Sequence, residues 1–275
     1  MQIKKVIDRI YCHRNMMYIF YITVLFLMNF VRIFNNDFWG DEAYTILLLK
    51  SDFNKMIEMT AGDVHPPLYY IMAKGMCEIL GYNGVVYHVT AFLPYIIAIF
   101  LGITVIRKRY GKWTSVLFLS FLSLLRSAVI YNLEVRMYSW GALFVLLSFI
   151  EFSELMKTGK IRSWIGFGIF SVAAAYTHYY CLISVAFFYI IIIFYTIKER
   201  KYIYKTIGLC VVTIVTYLPW LIELLNTFKR TSTSTGFWQT EIPTFFECVL
   251  YLFDSRFAGI LFALFILIIS EIIYK

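Results

Sequence analysis

Two acidic segments near the start of the chain carry residue types suited to acid–base chemistry. They are residues 38–44 (FWGDEAY) and 63–70 (DVHPPLYY). A carboxylate beside an acceptor hydroxyl can take its proton, so Asp41 is a candidate general base and Asp63 supplies a second carboxylate. Asp is also a common helix N-cap, and a capping role for Asp41 or Asp63 is the alternative interpretation.

His65 stands directly before two prolines, where a helix is expected to begin. The residue before a proline is pushed out of the helical region, and proline is favoured in the first helical turn. The free N–H groups of a helix start bind anions, and His65 would add a cation or a hydrogen-bond donor. This arrangement suits a phosphate on a lipid carrier, although His65 could also simply pack against its neighbours.

Arg136 is the candidate cation of a later segment, residues 131–138 (YNLEVRMY). Its planar guanidinium suits a phosphate, and ionisable groups within a membrane are costly enough to favour a functional role. A purely structural pair with Glu134 is an equally good interpretation. Three further residues complete the set of candidate substrate contacts: Glu42, Tyr138 and His178.

Residues 231–238 (TSTSTGFW) fall within a predicted outer loop, 222–256. Their small, polar composition predicts a mobile loop suited to covering a site. Around His178 the alternative interpretation is an aromatic belt at the membrane interface, because two tyrosines follow it.

Composition excludes a soluble protein. The 275 residues are 61% hydrophobic and only 15% charged, whereas soluble domains are about 25% charged. The formal charge of +8 does not indicate a nucleic-acid partner, because the bases form short clusters between apolar runs, as membrane flanks do. The five cysteines show no metal-binding spacing, and a divalent metal is left open.

Apolar runs of about 20 residues predict membrane-spanning helices. The sequence predicts an all-α, polytopic transmembrane bundle in one domain, residues 1–275, with about eight spans and a long first outer loop, 35–85, containing interfacial helices. The predicted spans are 16–34, 86–106, 113–130, 137–156, 164–178, 180–197, 203–221 and 257–274.

Four basic clusters predict the orientation. If all four lie in the cytoplasm, the eight spans alternate without conflict, the N-terminus is cytoplasmic and the candidate site is outside. This requires residues 66–81 not to cross the membrane. Their apolar residues form one helical stripe, which indicates a helix lying in the interface plane; a short span is the alternative. The stripe comprises Leu68, Ile71, Met72, Gly75, Met76, Ile79 and Leu80.

The order of these motifs resembles the GT-C superfamily of membrane glycosyltransferases. The acidic Asp41-Glu42 pair after the first span, the segment 63–70 and the later residues 134–139 (EVRMYS) carry the resemblance, which covers about residues 16–220. The most similar group is the clan of protein O-mannosyltransferases and aminoarabinose transferases, with its bacterial members. The resemblance implies an integral protein of a bacterial plasma membrane that acts in the cell envelope.

The resemblance also implies a chemistry. The donor would be a monosaccharide on a polyprenyl phosphate, and the acceptor a hydroxyl of a glycan, lipid or protein. Asp41 would match the catalytic carboxylate, His65 a phosphate-contacting residue and Arg136 a site arginine. Some relatives use a divalent metal and others do not.

Relatives in this superfamily usually have longer chains. The sequence is therefore expected to be either a C-terminally truncated fragment or a reduced member. Two other classes of function remain open: a transporter or lipid flippase, and a non-catalytic scaffold of a glycan-assembly complex. Ionisable residues gathered at the outer ends of the spans, rather than near the midplane, favour surface chemistry over transport.

Overall fold

The structure is a computed structural model that describes residues 18–35 and 37–233, together with Thr244 and Glu247. Within this part of the chain the fold is entirely helical, as the sequence predicts. The predicted last span, 257–274, and residues 234–238 of the predicted lid lie outside the described residues.

Eleven helices make up the described part of the chain. The last turn of the first, Val31–Phe34, is a 3-10 turn, and the fifth contains a π-helical stretch, Gly102–Ile106. In chain order they are α1 (Tyr18–Phe34), α2 (Gly40–Lys50), α3 (Phe53–Gly62), α4 (Leu68–Leu80), α5 (Gly84–Tyr110), α6 (Lys112–Leu124), α7 (Arg126–Tyr131), α8 (Tyr138–Thr158), α9 (Ile161–Thr177), α10 (Tyr179–Glu199) and α11 (Ile203–Thr233).

Four of these helices are long and apolar enough to cross a membrane: α5, α8, α10 and residues Ile203–Arg230 of α11. Three predicted spans, 86–106, 180–197 and 203–221, lie within them, and a fourth, 137–156, begins one residue before α8. Helices α1 and α6 are apolar but shorter, and α9 has 17 residues. The structure thus supports a membrane protein with four candidate spans, and the count of eight stays a prediction.

Two predicted boundaries are wrong. The expected span 113–130 is two helices, α6 and α7, because the backbone at Leu125 is extended (ψ 134°). The expected loop from residue 222 begins as helix, since α11 continues to Thr233. Arg230 stabilises this extension by donating from Nη2 to the Ala61 carbonyl at 2.9 Å.

The chain divides into two compact units, each made of separate chain segments. The chain passes from one unit to the other after residue 36, within α5 after Pro94, and after Leu133. Among the described residues, the first unit contains 18–35 and 95–133. Its helices are joined by paired hydroxyls: Tyr18 and Ser115 share a hydrogen bond of 2.7 Å, and Tyr21 and Ser120 share one of 2.6 Å. These bonds satisfy polar groups that would be costly in an apolar interior.

The second unit contains 37–94 and 134–233. Here α2, α3 and α4 fill the region predicted as the long outer loop. Helix α4 has 13 residues, about 20 Å at 1.5 Å per residue, which is short of the roughly 30 Å of a membrane core. Its buried face holds Tyr69, Tyr70, Ala73 and Cys77, while Ile71 and Ile79 of the apolar stripe are exposed.

Candidate functional site

The site is built around a short segment, residues 134–136, that lies between α7 and α8. Glu42 of α2 fixes it. The buried Glu42 carboxylate accepts one hydrogen bond from the Val135 N–H at 2.8 Å and another from the Trp39 N–H at 3.2 Å. Both oxygens of Glu42 are therefore occupied by backbone amides, and the start of α2 is joined to the segment that carries Arg136.

Arg136 lies almost fully buried beside Asp41. The Arg136 Nη2 is 3.8 Å from the Asp41 Oδ2, and the two side chains are 4% and 48% exposed. Arg136 Nη1 is 3.4 Å from both the Thr45 Oγ1 and the Tyr70 hydroxyl. A buried cation and a half-exposed carboxylate, 95 positions apart in sequence, thus meet at one place.

The Arg136 guanidinium has more hydrogen-bonding capacity than its neighbours use. It carries five N–H donors. Its contacts with Thr45, Tyr70 and Asp41, at 3.4–3.8 Å, exceed the usual 2.7–3.2 Å. The Tyr138 side chain also bonds the guanidinium, but the Arg136 Nε has no hydrogen-bond partner among the described residues. A buried charge is costly unless it is well paired. The spare donors therefore suit an anion that approaches from outside the protein.

His65 and His178 lie side by side next to this cation. Their ring centroids are 5.3 Å apart, and Tyr138 lies 5.7 Å from His178. The Nδ1 of His178 accepts a hydrogen bond from the Tyr180 N–H at 3.1 Å. The Nδ1 of His65 is buried without a hydrogen-bond partner in the described chain.

Burial, then the charges of Arg136 and His178, lower the pKa of His65 to about 3. The imidazole is therefore neutral at physiological pH. Of the two roles expected from the sequence, cation or hydrogen-bond donor, only the donor is compatible with this environment.

Asp63 ends α3 and is its C-cap residue. Its backbone carbonyl accepts a hydrogen bond from the Thr227 hydroxyl of α11 at 3.4 Å. Its carboxylate acts on the charge of Arg136. Burial lowers the pKa of Arg136, but the net pKa is raised above its ordinary value by four neighbours: Tyr70, Tyr138, Asp41 and Asp63. Two carboxylates and two tyrosines thus keep the buried guanidinium charged.

Glu134 is a buried acid in the same segment. Burial, then the negative charge of Glu42, raises the pKa of Glu134 to about 7, against the opposing effect of Arg136. The expected Glu134–Arg136 structural pair is not what the structure contains, because the ion pair of Arg136 is with Asp41. Only the Arg136 N–H and the Glu134 carbonyl oxygen bond directly, at 2.6 Å.

Helix α2 is held at its other end as well. Lys74 of α4 donates from Nζ to the carbonyl oxygens of Leu49 and Ser51, at 3.1 and 2.8 Å. The last carbonyls of a helix have no partner within it, so Lys74 satisfies acceptors that would otherwise be exposed. Its side chain also pairs with Glu78 at 3.4 Å.

The capping interpretations of the sequence are wrong. Helix α2 begins at Gly40 with Trp39 as its N-cap, so Asp41 is the second helical residue and its carboxylate is available to Arg136. Helix α4 begins at Leu68 with Pro67 as its N-cap; both prolines precede it, and Asp63 does not cap it.

The structure brings together Asp41, His65, Arg136, Tyr138 and His178, with Asp63 at the edge of the group and Glu42 behind it. Two contacts of Arg136 were not expected from the sequence, those with Thr45 and Tyr70. Tyr70 was recognisable as lying opposite the apolar stripe of α4, and Thr45 follows Asp41 by one helical turn. Neither carried a signal that pointed to Arg136.

Metal binding finds no support in the described residues: over 18–35 and 37–233, no group of three or more His, Cys, Asp or Glu side chains is placed to hold an ion.

Comparison of the chain with family models, with curated proteins and with solved structures gives no significant match.

Proposed function

We propose that the chain is a membrane glycosyltransferase of the GT-C type. It moves a monosaccharide from a polyprenyl-phosphate donor to an acceptor hydroxyl at the non-cytoplasmic face of the membrane. The observation that carries the proposal is the buried Arg136 with unused donors, 3.8 Å from the half-exposed carboxylate of Asp41. Sugar transfer from a lipid phosphate needs such a pair, a cation for the leaving phosphate and a base for the acceptor.

In this reaction the acceptor oxygen attacks the anomeric carbon of the donor. The bond between that carbon and the phosphate oxygen breaks, and the acceptor proton passes to Asp41. The electron pair leaves with the polyprenyl phosphate, whose charge the buried Arg136 stabilises. Neutral His65 donates a hydrogen bond to the same phosphate, and Asp63, Tyr138 and His178 contact the substrates.

The membrane arrangement completes the proposal. Eight spans, with α4 lying in the plane of the outer interface, would bring residues 37–81 to the depth of lipid headgroups. The outward-facing stripe of α4 supports this, because an in-plane helix presents its apolar face to lipid. The N-terminus and the basic loops are then cytoplasmic.

The experiment measures binding of undecaprenyl phosphate, the leaving group of the reaction, because this part of the donor is the same whichever sugar is transferred. Full-length protein reconstituted in nanodiscs is titrated with undecaprenyl phosphate, and transfer is followed in parallel with a panel of labelled undecaprenyl-phosphate monosaccharides and cell-envelope acceptors. Asp41→Asn should retain binding and lose transfer by about 1,000-fold or more, because general-base catalysis contributes about 10²–10⁴-fold.

Asp37→Asn is the matched control, since Asp37 lies in the same region but outside the site. It should transfer at the wild-type rate. A wild-type rate of sugar transfer by Asp41→Asn would show that Asp41 is not the general base. A wild-type protein that binds no undecaprenyl phosphate would exclude the transferase proposal and leave the flippase and scaffold alternatives.

A further inference from the structure

Two short loops of the second unit lie at the ends of candidate membrane spans. The first, residues 158–161, joins the end of α8 to α9; the second, residues 199–203, joins the end of α10 to α11. Since α8, α10 and Ile203–Arg230 are long and apolar enough to cross a membrane, these loops lie at the boundary between hydrocarbon and water.

The two loops are fastened to each other. Lys205 donates from Nζ to the Gly159 carbonyl at 2.9 Å. The Tyr202 side chain occupies the space that a Cβ at Gly159 would need, and its ring lies 5.8 Å from that of Trp164. Gly159 has a φ of 62°, which glycine adopts without strain. The loops thus form one preformed surface.

The backbone of the second loop is unusual. Arg200 and Tyr202 have φ values of 52° and 62°, a left-handed conformation that few non-glycine residues adopt. Such conformations persist where the surrounding structure holds them, and they cluster at ligand-binding sites. Packing of Tyr202 against Gly159 is what holds this turn.

The surface is strongly basic and has an apolar rim. One exposed acid, Glu199, lies among its exposed bases. Ile161 is 60% exposed and Tyr204 is 91% exposed. The exposed bases are Lys157, Lys160, Arg162, Lys198, Arg200 and Lys201.

We propose that this surface, the basic loop surface of Lys160, Arg162, Arg200 and Lys201, binds the headgroups of anionic phospholipids in the adjoining leaflet. The occupant follows from charge and position together: bases at the ends of membrane spans face lipid phosphates, and exposed Ile161 and Tyr204 enter the acyl boundary. Each base near an anionic membrane strengthens binding about fivefold. The proposal is independent of sugar transfer.

The test measures lipid binding to the purified full-length chain by native mass spectrometry, with palmitoyl-oleoyl phosphatidylglycerol and the matching phosphatidylcholine as probes. The wild type should prefer phosphatidylglycerol. The double variant Arg162→Gln/Lys201→Gln, with one change in each loop, should bind phosphatidylglycerol about 30-fold more weakly, from fivefold for each base. Circular dichroism checks that its helix content is unchanged.

Two controls separate charge from fold. Lys50→Gln/Lys55→Gln removes two exposed bases from α2 and α3 and should leave phosphatidylglycerol affinity within twofold. Arg162→Lys/Lys201→Arg keeps the charge of the loops and should bind like the wild type. Equal binding of the two lipids by the wild type, or full phosphatidylglycerol binding by the Gln double variant, would overturn the proposal. If the double variant does not fold, the single variants Arg162→Gln and Lys201→Gln should each bind phosphatidylglycerol about fivefold more weakly. Wild-type affinity in both single variants would also overturn the proposal.

Discussion

The paired hydroxyls of the first unit and the buried guanidinium of the second unit differ in how well their hydrogen-bonding capacity is used. In the first unit, Asn29 Oδ1 is the buried polar side-chain atom that has no hydrogen-bond partner among the described residues. In the first unit, Tyr95 and Ser123 share a hydrogen bond of 2.9 Å, and the Tyr18 and Tyr21 hydroxyls have partners at 2.7 and 2.6 Å. In the second unit, Arg136 lies 3.4–3.8 Å from Thr45, Tyr70 and Asp41 and also bonds the Tyr138 side chain. Its Nε has no hydrogen-bond partner among the described residues.

The comparison distinguishes two roles of buried polar side chains, which are joining helices and binding a ligand. Paired hydroxyls join helices and leave no donor free for a ligand, because each donor meets an acceptor within the chain. A buried guanidinium with loose contacts keeps its donors for a ligand, at a cost that the neighbouring carboxylates and tyrosines offset. We therefore expect substitutions in the first unit to change stability alone and substitutions around Arg136 to change binding.

Among the substitutions that test this difference between the units, the largest effect on binding is expected for Arg136→Lys. It keeps the positive charge but loses the planar fork, so the affinity for undecaprenyl phosphate should fall about 100-fold, equivalent to about 3 kcal/mol at 1.4 kcal/mol per tenfold. Titration in nanodiscs measures it. The matched control is Arg109→Lys, at an exposed arginine of α5, where the same change should have no effect. Wild-type affinity of Arg136→Lys for undecaprenyl phosphate would contradict the expectation that the Arg136 donors are kept for a ligand.

Glu42→Ala should cause the next largest effect. It leaves two backbone N–H groups without their charged acceptor, so unfolding free energy should fall by about 3 kcal/mol, as measured by thermal unfolding in detergent. Glu42→Gln keeps one acceptor oxygen and should recover part of the loss. Glu58→Ala, at an exposed acid of α3, should be neutral. A neutral Glu42→Ala would show that the 134–136 segment holds its place without this clamp.

A smaller effect concerns pH. Because the folded pKa of Glu134 is raised from 4.5 to about 7, the folded state binds more protons than the unfolded state between these values. The contribution of Glu134 to stability should therefore fall as pH rises from about 4.5 to 7, by on the order of 1–2 kcal/mol. The lowered pKa of His65 gives a slope of opposite sign below about pH 6.5, so the Glu134 contribution is the difference between the wild-type profile and the Glu134→Gln profile. Thermal unfolding across this range measures it. In Glu134→Gln the fall due to Glu134 should be absent, so the stability of wild type relative to this variant should decrease from pH 4.5 to 7. A constant difference between the two proteins would show that Glu134 does not titrate in this range.

The smallest effect is expected in the first unit. Tyr21→Phe removes one paired hydroxyl and should cost about 0.6 kcal/mol, the average for interhelical hydrogen bonds in a membrane. Undecaprenyl phosphate affinity should not change, and the same titration checks this. A loss of affinity in Tyr21→Phe would mean that the first unit contributes to the site after all.

The sequence predicted the helical class and the segments that carry the site, because apolar runs and proline positions are local signals. It could not predict the pairing of Asp41 with Arg136, which depends on contacts between residues 95 positions apart. The break at Leu125 had a local signal in the arginine that follows it, within an otherwise apolar run. The extension of α11 had none, since it depends on the tertiary bond from Arg230 to Ala61.

Helix α2 is held in place at both of its ends. Glu42 anchors its first turn and Lys74 its last, so the Asp41 carboxylate inherits the rigidity of a helix instead of the freedom of a loop. A motion that admits the proposed lipid carrier and releases it is therefore expected in elements other than this helix.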